Sequence, residues 1–249
     1  NVAGEGAHAV LDQVLLDHCG HWGLYLSGNG IVDLNHVVVD EPGFSGIRTL
    51  NGLATLDTFN VYSPGNSGVE VLGGVVTATT VEVSDADASG LVVMAGSATV
   101  DGLVASYMDG AGVAISGGTT FLNNSSIAGA VATGVSLTGG ELTMNQGSIS
   151  NSGQAGVEAI AGILSLSETS IHSNSGDGVL LSGTVQATLT AATLNDNGGF
   201  GLACDGDVAT PATSSVQLLS CTANTSGNTS GDFTQINGCE AQASCTAPL

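Results

Sequence analysis

The sequence predicts an all-β fold, a right-handed single-stranded parallel β-helix of about ten short coils, and three observations predict it. A glycine followed by an aliphatic residue recurs at a nearly fixed period; three period-two pairs of apolar residues fall inside each period; and glycine is abundant, at 38 of 249 residues, where proline is scarce, at 4. Alternation with period two builds strands, and self-similarity at a fixed spacing is the signature of a solenoid.

The anchor pairs are Gly23-Leu24, Gly46-Ile47, Gly68-Val69, Gly90-Leu91, Gly112-Val113, Gly134-Val135, Gly156-Val157, Gly178-Val179 and Gly201-Leu202. Their spacings are 23, then 22 six times, then 23, and counting back 22 from Gly23 reaches Asn1-Val2. With the anchor as position 0, apolar residues fall at positions 1, 3, 8, 10, 13 and 15, as in Val69, Val71, Val76, Ala78, Val81 and Val83. Three pairs predict three short strands per coil, with these residues inward. Aromatic residues are only 4% of the chain, so the interior is expected to be narrow and aliphatic.

Each corner has a backbone reason. Positions 5 and 6 carry glycine, as in Gly73-Gly74 and Gly117-Gly118, which suits positive φ. Position 11 reads Asp12, Asn35, Asp57, Thr79, Asp101, Asn123, Asn145, Ser167 and Thr190, allowing one-residue insertions near Gly30 and Gln186. Asn and Asp tolerate the left-handed region, so this column is expected to make the second bend and to bond the next turn. The third corner, positions 16 to 21, is longer and varied, and varied loops in a fixed frame are where binding resides.

The coils are expected over residues 1–203, with residues 204–249 forming a last irregular coil and a Cys-rich cap. Cys204, Cys221, Cys239 and Cys245 have no zinc-like spacing and are expected to form two disulfides in an oxidising compartment, leaving Cys19 over. The in-phase start suggests a piece of a longer protein, with end-to-end or upstream β-helix continuation. No apolar run is long enough to span a membrane. Arg48 alone faces 22 acidic residues, giving a net charge of −21, and this excludes a nucleic-acid footprint.

The three-strand coil, the turn column of Asn and Asp, and the inward aliphatic stacks resemble the pectate-lyase-like superfamily of right-handed β-helices, in its short-coil, surface or adhesin-like form. Lyases of that superfamily carry an arginine base and carboxylate-bound calcium on the face made by the first strand and third turn. Here Arg48 stands at outward position 2 between Tyr25 and Glu70, where a cation–π contact and a salt bridge would account for it structurally. Tyr25, Arg48 and Glu70, with Tyr62 and Tyr107 of the third turns, form the candidate ligand face. Asp85, Asp87 and Asp109 are the candidate Ca²⁺ ligands, since hard oxygens suit that ion. His18 and His21 share a turn with Cys19 and Trp22, and position 9 is rich in threonine. The leading expectation is a secreted or surface-displayed bacterial β-helix acting as a non-catalytic stalk, adhesin-like segment or scaffold, with carbohydrate or another surface protein as partner. The alternative is a carbohydrate-active enzyme or carbohydrate-binding module.

Overall fold

A computed structural model describes residues 2–3, 6–205, 215–222 and 224–230. Among them are 23 strands and no helix, and every strand pairing is parallel. Each strand pairs with the residues one period away: Val69 lies beside Ile47 and Leu91, and Val135 beside Val113 and Val157. Val69, Val71, Val76, Ala78, Val81 and Val83 are all buried, as the period-two reading requires. In the coil of Gly156 the inward set Val157, Ala159, Leu164, Leu166, Thr169 and Ile171 is buried too. The chain is a parallel β-solenoid with a largely aliphatic interior, and Phe59 is the largest fully buried side chain among the described residues.

The register departs from expectation at three places. Val2 pairs with Leu26 rather than Leu24, a slip of two residues that keeps it facing inward and lengthens the first corner of coil 1. The late insertion lies between Leu181 and Thr184, as a bulge opposite Ala159 and Ala161, and not at Gln186. In the early coils the second and third strands run on as one, over His8–Asp17, Ile31–Asp40, Leu53–Tyr62 and Val75–Ser84. Position 11 stays in the strand, and where the second bend is left-handed it falls on the next residue, at Gln13 and His36 in the first two coils and at Gly102, Asn124, Gln146, Glu168 and Ala191 in the later ones; Thr58 and Thr80 keep negative φ. The position-11 side chains stack instead, Asn35 donating to Asp12 at 2.7 Å, Thr79 to Asp57 at 2.7 Å and Asn145 to Asn123 at 3.1 Å.

The glycines divide into two kinds. Gly52, Gly74, Gly96, Gly118, Gly140 and Gly162 at position 6 have positive φ, as a tight corner demands. The anchor glycines do not; a Cβ at Gly68 would strike both methyls of Val83 and lie 2.8 Å from the Gly90 carbonyl. From Gly23 to Gly156 they are glycine because position 15 of the same coil closes over them, and at Gly178 the amide of Asn197 does so instead.

The third corner has a fixed bend under its varied sequence. His18, Glu41, Ser63, Asp85, Tyr107, Asn151, Ser173 and Asp196 all take φ between 45° and 61°. The residue that follows then turns inward, and Ala86, Met108, Ala130, Ser152, Asn174, Asn197 and Asn224 are buried in one column. Its last three members form an asparagine ladder. Asn174 Nδ2 donates to Asn197 Oδ1 at 3.0 Å and Asn197 Nδ2 to Asn224 Oδ1 at 3.0 Å, while Nδ2 of each also reaches a backbone carbonyl. Buried amides are stable only when satisfied, and here each side chain also accepts from a backbone N–H of the coil before it. Of the expected last coil and cap, residues 204–205, 215–222 and 224–230 are described, and the strands Ser215–Thr222 and Gly227–Ser230 still pair in parallel with the coil before them; Cys239, Cys245 and the side chain of Cys221 lie outside the described residues, and Cys204 is buried in the strand Phe200–Asp205.

Candidate ligand face

Tyr25, Arg48 and Glu70 are register partners on successive first strands, so one outward column carries them. Glu70 is nevertheless only 6% exposed, because third-turn residues fold back over it. A buried carboxylate needs charged or hydrogen-bonding partners, and this one has three. Arg48 Nη1 lies 3.5 Å from Oε2, Ser45 Oγ donates to Oε1 at 2.7 Å, and Asn66 Nδ2 donates to the same oxygen at 2.8 Å.

The guanidinium of Arg48 lies over the Trp22 ring, 5.4 Å from its centroid. This corrects the expected cation–π partner, which was the column neighbour Tyr25. Trp22 comes between them by stacking on Tyr25, with centroids 4.9 Å apart. It also faces Phe44 at 5.7 Å, and Phe44 stacks on His21 at 5.4 Å and 10°. Trp22 and Phe44 sit in the third turns of coils 1 and 2, immediately ahead of the next first strand. Period-two logic gave them no partner, and the aromatic beside the anchor in His21-Trp22-Gly23 was the available signal. Trp22 Nε1 and Arg48 Nε are buried without a hydrogen-bond partner.

Tyr62 and Tyr107 stand apart from this cluster, on the third-strand side of the third corner. Tyr62 ends the strand Leu53–Tyr62 and donates its hydroxyl to Glu82 Oε2 at 3.3 Å. Burial, then the Glu82 charge, hold its proton more firmly than in a free tyrosine. Tyr107 is 68% exposed, with its ring against Gly129.

Asp85, Asp87 and Asp109 are all exposed. Asp87 donates its N–H to Pro64 and Asp109 to Ala86, which places the last two on neighbouring coils. Asp85 is spent on the left-handed bend and is separated from Asp87 by the inward Ala86. Among the described residues no three His, Cys, Asp or Glu side chains are grouped to hold one metal ion. Farther along the same face, Thr133, Gln154, Glu158, Asp177 and Leu180 line an open groove of about 370 Å³. Asp177 Oδ1 is already engaged there by the Phe200 N–H at 2.6 Å.

Fold and face together define a parallel β-helix with an aromatic-rich patch at one end. The family described as right handed beta helix region matches residues 111–247, more than half of the chain, and the chain belongs to it. Among solved structures, it is similar to two mannuronan C-5 epimerase A-modules of Azotobacter vinelandii. With AlgE4 it shares 12% identity over 91% of this chain and 89% of that one, with a TM-score of 0.43; with AlgE6, 14% over 92% and 88%, with a TM-score of 0.34. At those values neither likeness carries an inference about activity. No curated protein matches.

Proposed function

We propose that this chain is a non-catalytic β-helix of a secreted or surface-displayed bacterial protein, a rigid stalk or scaffold that binds neutral carbohydrate on the third-turn aromatics His21, Trp22 and Phe44. The observation that carries this reading is the closed network of Arg48 and Glu70. The only basic Lys or Arg side chain of the protein and the carboxylate beside it are committed to each other, to Trp22, to Ser45 and to Asn66. An arginine held in that way is poorly placed to act as a base. Aromatic faces remain, with Phe44 43% exposed, and these suit the apolar side of a sugar ring. A net charge of −21 repels acidic glycans, which leaves neutral ones. The oxidising compartment rests on four cysteines in the last 46 residues.

Trp22 is the one tryptophan, so its fluorescence reports this patch directly. Titration with neutral oligosaccharides is expected to shift that emission saturably, and Phe44→Ala to weaken binding about tenfold, which is roughly 1.4 kcal/mol. Absence of binding across neutral glycans removes the carbohydrate reading, and turnover of any of them removes the non-catalytic one.

A further inference from the structure

We propose that Asn51 is a site of spontaneous backbone modification in the folded protein, whereas Asn197, followed by the same residue type, is protected by the asparagine ladder. The inference is independent of the carbohydrate reading.

The described residues contain three Asn-Gly dipeptides, Asn29-Gly30, Asn51-Gly52 and Asn197-Gly198. In the modification, the backbone nitrogen of the glycine gives up its proton to solvent and attacks Cγ of the asparagine. The Cγ–Nδ2 bond breaks, ammonia leaves, and a five-membered succinimide forms. Water then adds to one of its two carbonyls. Opening at the former backbone carbonyl gives isoaspartate, with an extra carbon in the main chain, and opening at the other gives aspartate. Glycine favours the cyclisation because no Cβ blocks the approach and its φ is free.

At Asn51 the requirements coincide. The side chain is exposed at the first corner of coil 3, and no hydrogen bond among the described residues holds either its amide or the Gly52 N–H. Gly52 has φ of +95°, in a region closed to most other residues. Gly30, by contrast, is buried against Leu26 and Val2. At Asn197 every reacting group is occupied. Its Nδ2 donates to Asn224 and to the Ile171 carbonyl, its Oδ1 accepts from Asn174, and the Gly198 N–H donates to the Asn174 carbonyl at 2.7 Å. The residue is wholly buried, so reaction there needs local opening first. Conversion at Asn51 adds one negative charge, and its isoaspartate product also lengthens a corner three residues beyond Arg48.

The test holds the full chain at mildly alkaline pH and follows each asparagine by peptide mass mapping, with isoaspartyl methyltransferase labelling to count isoaspartate. Asn51 is expected to lose its amide roughly tenfold or more faster than Asn197, and the difference to collapse in urea. Asn51→Gly, which installs the residue found at Gly73, Gly117 and Gly139, is expected to remove the signal and keep the fold. Retention of the Asn51 amide over a period in which the urea-unfolded chain converts it would overturn the proposal. Equal rates at Asn51 and Asn197 in the folded protein would overturn it as well.

Discussion

At the scale of the residue, the anchor glycine has the narrowest tolerance. A methyl group at Gly68 meets Val83, at Gly112 it meets Ile127, and at Gly156 it meets Ile171, each time with the next anchor carbonyl 2.7 or 2.8 Å away. At Gly90 the facing side chain is the smaller Ala105. Overpacking a close-packed core costs about 1–3 kcal/mol. Gly68→Ala is therefore expected to lower the melting temperature clearly, Gly90→Ala to do so less, and Val83→Ala to recover part of the first loss. Equal and negligible effects at both glycines would remove this account of the anchor. The period made these glycines visible in the sequence, but their reason was not, because position 15 meets position 0 only after the coil has closed. The buried ladder of Asn174, Asn197 and Asn224 stayed hidden for a related cause. It lies in the variable third corner and spans insertions, so the three residues are 23 and 27 apart and share no fixed spacing.

At the scale of the element, coil 1 is fastened to coil 2 by pairs that titrate. His8 Nε2 lies 2.8 Å from Asp33 Oδ2, and His18 Nε2 lies 2.8 Å from Glu41 Oε2 while its Nδ1 bonds Asp17. The hydrogen bond that His18 donates to Asp17, then the charges of Asp17, Glu41 and Asp40, raise the proton affinity of His18 above that of free imidazole. Its contribution is complete below the unfolded imidazole value and is lost as pH rises through the raised folded value. Asp33 is shifted the other way, by hydrogen bonds from His8 and then Thr55. Its contribution is present above the unfolded carboxylate value and is lost as pH falls through the lowered folded one. Coil 1 is thus expected to be best protected between the carboxylate and imidazole ranges. Hydrogen exchange of Val14–Asp17, corrected for intrinsic rates, should show protection falling on the alkaline side, and His18→Gln should flatten that limb. Unchanged profiles in the variant would mean that the backbone ladder alone holds the coil. The candidate face was half legible at this scale. Spacings of 23 and 22 put Tyr25, Arg48 and Glu70 in one column, but the aromatics that cover them sit in turns where no period applies.

At the scale of the whole molecule, the described acidic side chains other than Glu70 lie on the outside of the solenoid, and their distribution decides how salt acts. Stacked strands stand about 4.8 Å apart, so acidic register partners such as Asp17 and Asp40 face each other well inside a Debye length of roughly 8 Å at physiological ionic strength. Such repulsion yields to any salt that screens it. A chelate would instead need several oxygens converging on one ion, and Ca²⁺ takes about 6–8 of them. Asp87 and Asp109 bring two exposed carboxylates from neighbouring coils, and no third joins them among the described residues. Water would have to complete such a site, which makes it weak. The melting temperature is therefore expected to rise with NaCl, and Ca²⁺ at equal ionic strength to add little beyond that rise. A larger gain with Ca²⁺, abolished when Asp87→Asn is combined with Asp109→Asn, would instead establish the acidic edge as a cation site. A gain that survives the double substitution would place the ion elsewhere on the surface.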